Sequence, residues 1–329
     1  MTSQHESAQF FNGWVSPKDV RLPLKFRDPH RTKGGKQRAH VALHKLRTLW
    51  LNTGTLCNLS CQNCYIESTP SNDRLSYLTL AEVLPFLEEI EQENYGTQEI
   101  GITGGEPFMN PQILGIMETC LQRGFSLLVL TNGMRPMMRP RIQTGLLDLK
   151  KKYSNKLTIR VSVDHFQKGI HENERGPGSW VPMIRGLKWL SSNEFQVDIA
   201  GRTLWIENEE ELRNGFAQLF REHGICIDVQ NPTRLTLFPE MDNSPDVPEI
   251  STECWQILGV SPDDMMCASS RMVVKRKGDS KPSVMACTLL AYDQRFNLGT
   301  TLEEASQSVQ LNHPHCAKFC VLGGGSCSG

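Results

Sequence analysis

The sequence predicts an α/β fold, a partial (β/α)6 barrel with a small C-terminal cysteine-rich auxiliary domain. Three observations carry this. From Thr48 to about residue 240, short apolar runs alternate with amphipathic segments, the rhythm of parallel βα units. The loops after these runs hold clustered Cys, Gly, Asn and Arg, and function gathers at the C-terminal strand ends of such barrels. Beyond residue 267 the composition shifts, and residues 267–329 carry five of the eleven cysteines.

The expected elements follow in order. Residues 1–46 form a basic N-terminal arm, with nine Lys or Arg against three acids, broken by Pro17, Pro23, Pro29 and Gly34-Gly35. It reads as a solvated tail wrapped on the barrel, or else as a grip on an anionic substrate. Residues 47–240 are the barrel. Its first strand is Thr48–Thr53, and its first helix near Thr79–Gln92 opens on a capping box of Thr79 and Glu82. A second strand at Glu99–Thr103 precedes a helix at about Pro111–Arg123, closed by Gly124. The third strand is Ser126–Thr131, with a helix at about Arg141–Lys152. The fourth is Leu157–Asp164 with a helix at Trp180–Ser191, and the fifth is Gln196–Gly201 with a helix at Glu209–Glu222. The sixth strand is Arg234–Phe238. Residues 241–266 form an irregular bridge rich in Pro, Asp, Asn and Glu, with a short helix at Thr252–Leu258, and residues 267–329 form the auxiliary domain.

Bulk composition narrows the function. A chain of 329 residues, 39% hydrophobic, 22% charged and with net charge −1, gives no electrostatic case for a nucleic-acid partner. No apolar run approaches the roughly 20 residues that a membrane-spanning helix needs. The first residues lack the basic start and apolar core of a signal peptide, so a cytoplasmic location is expected. Cysteines in a reducing compartment then argue for metal ligands and free thiols. Cys120, Cys226 and Cys254 stand alone in apolar surroundings and read as core thiols.

Cys57, Cys61 and Cys64 stand at C-x3-C-x2-C spacing directly after the first strand. Iron–sulfur clusters are normally held by four cysteines, so a compact set of three leaves one iron open to a small molecule. A zinc site would close with a second Cys or His pair, and none follows within the next thirty residues.

This motif, together with Gly104-Gly105-Glu106-Pro107 after the second strand, resembles the radical S-adenosylmethionine (SAM) superfamily. The resemblance implies a 4Fe-4S cluster on Cys57, Cys61 and Cys64, whose open iron chelates the methionine end of SAM. One electron then cleaves a carbon–sulfur bond to give methionine and a 5′-deoxyadenosyl radical. One departure is Asn63, where the family often has an aromatic before its third cysteine; here Tyr65 comes just after it.

By the same resemblance, Gly104 and Gly105 flank the methionine end of SAM, and Glu106 accepts from its ammonium. Thr131, Asn132 and Ser162, at the third and fourth strand ends, bring polar groups to the SAM carboxylate and ribose. Arg202, after the fifth strand, can pair with a carboxylate such as SAM's. Asp164 and His165 stand at the same mouth, within reach of a substrate.

Cys267, Cys287, Cys316, Cys320 and Cys327 resemble the ligands of the auxiliary-cluster domain, twitch or SPASM in type, of many radical SAM enzymes. They are five ligands for a second 4Fe-4S cluster that needs four, with a hairpin of unusual length between Cys267 and Cys287; a structural zinc is the alternative. The expected partners are a substrate and an external one-electron reductant of flavodoxin or ferredoxin type. The substrate is expected to be a small or carrier-bound molecule, because no leader-binding module is legible. Peptide maturation is the second reading, and a non-catalytic iron–sulfur or zinc scaffold is the competing class.

Overall fold

The computed structural model describes residues 25–203, 207–239 and 246–325. Its strands and helices run, in chain order, β1 (His40–Val41), β2 (Thr48–Asn52), α1 (Leu80–Glu93), β3 (Glu99–Thr103), α2 (Ile113–Gln122), β4 (Ser126–Thr131) and α3 (Pro140–Tyr153). Then come β5 (Leu157–Ser162), α4 (Lys168–Arg175), α5 (Trp180–Ser192), β6 (Gln196–Thr203), α6 (Glu209–His223) and β7 (Leu235–Pro239). The C-terminal part holds α7 (Cys254–Leu258), β8 (Ser270–Val274), β9 (Ser283–Met285) and β10 (Val309–Gln310), and ends in a π-helical segment, Cys316–Leu322.

Strands β2 to β7 are parallel neighbours in sequence order, the six-stranded partial barrel that the alternating pattern predicts. Helices α1, α2, α3, α5 and α6 fall where periodicity and caps put them. Thr79 accepts from the Glu82 amide while the Glu82 carboxylate accepts from the Thr79 amide, so the expected capping box is present.

Two elements differ from expectation. Helix α4 has no apolar stripe to betray it: its sequence is Lys-Gly-Ile-His-Glu-Asn-Glu-Arg, and His171 is its buried residue. The second is β8. It pairs antiparallel with β9 as the expected hairpin, but its other edge pairs in parallel with β2, Leu49 opposite Arg271. The C-terminal segment therefore extends the barrel sheet and shares its hydrophobic core. Strand β2, covered by β3 and β8, is buried at every position.

The described part of the basic arm, residues 25–46, is mostly exposed but is anchored to the fold at several points. Phe26, Ala39, Val41 and Leu46 are buried, and β1 pairs with β10 across the C-terminal segment. Arg38, buried against Glu249 at 2.5 Å, anchors this strap. Of the isolated cysteines, Cys120 is a core thiol, whereas Cys226 is exposed and Cys254 half-buried. Cys226 follows α6 in the loop before β7, where the chain turns toward solvent.

Inside the barrel, the Trp50 indole fills the space that Gly101 leaves opposite it, where an added Cβ would fall 2.4 Å from the ring. This indole walls the base of the cavity described below. Gly101→Ala is expected to destabilise the fold by about 1–3 kcal/mol through overpacking. Urea denaturation checks this, and an unchanged midpoint would show that the indole yields freely.

Candidate active site

The turn after β3 lies against the chain leading into Cys57. Gly105 N donates to Gly54 O at 2.8 Å and Glu106 N to Leu56 O at 3.2 Å. A Cβ on Gly105 would meet Leu56 O at 2.3 Å, and Gly104 takes φ +145°. The two glycines are thus required by contact between two stretches of this chain, and they still line the cavity beyond.

That cavity, about 190 Å3, opens at the C-terminal strand ends. Cys57, Cys61 and Cys64 form one wall, and Gly104, Gly105, Thr131, Asn132, Ser162 and Arg202 also line it. Asp164 stands there as well, whereas His165 turns away and binds Glu207 at 2.8 Å. Thr288, Leu289 and Phe319 close it from the C-terminal segment.

Glu106 is the exception among the expected contacts. It is 1% exposed and does not line the cavity. Its carboxylate accepts from Thr131 Oγ1 at 2.9 Å, Asn132 N at 2.9 Å and Phe108 N at 3.2 Å. The side chain predicted to meet the SAM ammonium instead ties the β3 turn to the end of β4. Burial pushes its carboxyl up to about 7, against the pull of these three donors. Asn132 carries the tie onward, donating from Nδ2 to Asn58 Oδ1 at 2.9 Å and standing 3.9 Å from Cys57 Sγ.

The thiols are supplied with the donors that a metal-bound sulfur uses. Leu59 N approaches Cys57 Sγ at 3.4 Å, and Ser68 N approaches Cys64 Sγ at 3.3 Å. Burial, with the Glu106 charge second, pushes the Cys57 thiol up to about 12.

Helix α4 supplies residues that sequence reasoning missed. Glu174 accepts from Asn63 N and Asn63 Nδ2, both at 2.9 Å, and its own carbonyl accepts from Gln62 N at 2.8 Å. The cysteine loop is clamped between its second and third ligands. Arg175 reaches the cavity and grips Asp164 with two hydrogen bonds, at 2.6 and 3.1 Å, while Arg202 stands 3.3 Å from the same carboxylate. Burial would raise the Asp164 carboxyl, but the two guanidiniums outweigh it and hold it below its ordinary range. Helix α4 is short and polar, so a charged run after the fourth strand end was its one available signal.

Three polar atoms of lining residues are buried without a partner among the described residues: Trp50 Nε1, Ser68 Oγ and Arg202 Nη1. Buried donors of this kind call for a polar ligand.

A second cavity lies in the C-terminal segment. Cys267, Cys287, Cys316 and Cys320 line it, among Met265, Leu290, Phe296 and other apolar side chains. Cys327 lies outside the described residues.

Three thiols and several unpaired donors line one cavity at the mouth of a parallel barrel, a set chemically suited to an incompletely ligated iron–sulfur centre and a polar ligand. Comparison with known proteins agrees. A model of the Radical SAM superfamily matches residues 51–214, and this chain belongs to that superfamily, whose members use SAM and a 4Fe-4S cluster.

Over 169 residues it is 30% identical to the antilisterial bacteriocin subtilosin biosynthesis protein AlbA of Bacillus subtilis (strain 168), covering 51% of this chain and 35% of that protein. Over 169 residues it is 28% identical to the AdoMet-dependent heme synthase of Methanosarcina barkeri (strain Fusaro / DSM 804), covering 51% and 45%. The chain thus spans less than half the length of these curated relatives. Among solved structures, anSMEcpe with bound AdoMet has a similar fold, with TM-score 0.56 and 16% identity over 81% of each chain. Streptococcus suis SuiB has TM-score 0.53 and 14% identity, over 76% of this chain and 62% of that one. Among the described residues no helix is long and apolar enough to cross a membrane.

Glu106→Ala would strand three buried donors and is expected to lower the unfolding free energy by about 1–3 kcal/mol. A variant that loses SAM affinity while keeping its urea midpoint would argue for direct contact with the SAM ammonium instead.

Proposed function

We propose that this enzyme reductively cleaves SAM and uses the resulting radical to abstract hydrogen from a substrate. The observation carrying this is the convergence of Cys57, Cys61 and Cys64 with the unpaired Arg202 Nη1 on one cavity. The cluster and SAM, when bound, supply a 5′-deoxyadenosyl radical. The protein's part is to hold and orient. Cys57, Cys61 and Cys64 bind three irons and leave the fourth for SAM. Gly104 and Gly105 present backbone beside it, Arg202 Nη1 donates to an anionic group such as the SAM carboxylate, and Thr131, Asn132 and Ser162 hold polar groups of SAM. Glu106 keeps Thr131 and Asn132 in place from behind the wall.

The reading includes an auxiliary cluster on Cys267, Cys287, Cys316 and Cys320, as electron acceptor or substrate anchor. These four line one apolar cavity, a complete ligand set without Cys327.

The substrate in this reading is a small or carrier-bound molecule, and the electron comes from an external donor of flavodoxin or ferredoxin type. A peptide is the second reading, favoured by the similarity to a protein named for bacteriocin biosynthesis.

Anaerobically reconstituted protein with a strong reductant is expected to convert SAM to 5′-deoxyadenosine and methionine, and Cys61→Ala to abolish the conversion. Undiminished cleavage in that variant would reject the site.

Iron content tests the second cluster: about eight irons per chain in the wild type and in Cys327→Ala, and about four in either the Cys57/Cys61/Cys64 triple alanine or the Cys267/Cys287 double alanine variant. Four irons and one zinc in the wild type would turn the C-terminal site into a structural staple.

A further inference from the structure

Among the described residues, four arginines are deeply buried: Arg38, Arg160, Arg213 and Arg271. Three of them face a carboxylate, Arg38 with Glu249 at 2.5 Å, Arg213 with Glu209 at 2.8 Å and Arg160 with Asp198 at 3.8 Å. Arg271, 1% exposed on β8, has no carboxylate partner among the described residues. All its hydrogen bonds go to backbone carbonyls: Nε to Ala305 at 2.8 Å, Nη1 to Cys267 at 2.6 Å and Ser270 at 2.8 Å, and Nη2 to Gln307 at 3.1 Å.

Carbonyl dipoles satisfy the donors but bring no net charge, and a buried cation is costly without an opposing one. The Arg271 Nη1 sits on the carbonyl of Cys267 itself, and among the described residues the thiols of Cys267 and Cys287 act electrostatically on this guanidinium. As thiols they are neutral. As thiolates on a four-cysteine iron–sulfur cluster they belong to a centre of net negative charge, and the cation and that centre then neutralise each other in a low-dielectric interior.

Resting on the auxiliary-cluster reading above, we propose that Arg271 is the countercharge of the cluster at Cys267, Cys287, Cys316 and Cys320, and that it raises the cluster's reduction potential. Reduction adds an electron to a centre that is already negative. A fixed cation beside it favours that step, because local charge and hydrogen bonding set cluster potentials. Arg271 also pins the carbonyl of a ligand residue, so it positions Cys267 as well.

The test uses the full chain with Cys57, Cys61 and Cys64 replaced by alanine, so that the remaining iron signal comes from the C-terminal site. Its potential is measured by redox titration followed by electron paramagnetic resonance. Arg271→Gln is expected to make reduction at least tenfold less favourable, a shift of about 59 mV to more negative potential for one electron. Arg271→Lys, which keeps the charge, should restore most of it.

If the charge is required for assembly, Arg271→Gln loses iron while Arg271→Lys keeps it, which also supports the assignment. Unchanged potential with iron retained in Arg271→Gln overturns it. So does an equal shift, or equal loss of iron, in both variants, since hydrogen bonding or folding alone would then account for the residue. An iron-free site in the Arg271 parent is a different failure: it sinks the cluster reading, and the role of Arg271 with it.

Discussion

The mouth of the barrel depends on one close approach, that of the Gly104-Gly105 backbone to residues 53–56. With a Cβ on Gly105 falling 2.3 Å from Leu56 O, no other residue fits there unless the turn after β3 or the entry to the cysteine loop moves. Because that approach holds, Glu106 lands beneath the end of β4, where its carboxylate fixes Thr131 and Asn132. Asn132 in turn reaches Asn58 within the cysteine loop. Strand ends separated in sequence become one rigid wall, and loops held by such ties can present ligands with the precision that metal binding requires.

The other side of the cysteine loop is held by charge. Helix α4 ends in Glu174 and Arg175; the first pairs with Asn63 and the second with Asp164, while Arg202 lies near both acids, 3.3 Å from Asp164 and 3.6 Å from Glu174. Two carboxylates against two guanidiniums leave the network near neutral. Its hydrogen bonding is not complete, however, since Arg202 Nη1 remains unpaired beside the cavity. The same criterion separates the buried arginines. Arg38 is balanced by Glu249 and needs nothing more, whereas Arg271 is satisfied in hydrogen bonds but not in charge. Counting charge and hydrogen bonds separately is what distinguishes a structural arginine from one that anticipates a ligand.

The parts legible in the sequence were those with local signatures. Strands β2 to β7 announced themselves as apolar runs, α1 by its capping box, and the three-cysteine loop by its spacing. Residues whose placement depends on distant chain were not legible. Glu106 sits in a loop whose glycines suggested ligand contact, and nothing local reveals that its carboxylate points back into the protein. Helix α4 lacks the apolar stripe by which helices are recognised. Strand β8 was readable as half of a hairpin, but its parallel pairing with β2 is a contact between residues more than 200 positions apart, and no periodicity encodes it.

That pairing brings the two cysteine sites into one mechanical unit. Strand β8 carries Arg271 beside the C-terminal cysteines, and its partner β2 leads directly into the loop of Cys57. The π-helical segment Cys316–Leu322 adds a second link: Cys316 and Cys320 face the C-terminal cavity, while Phe319 lines the first, edge-on to Tyr65 at 6.2 Å and stacked on Phe238 at 5.8 Å. Leu289 borders both cavities. Two of the four C-terminal cysteines and part of the aromatic wall over the cavity at the strand ends thus share one short segment of chain.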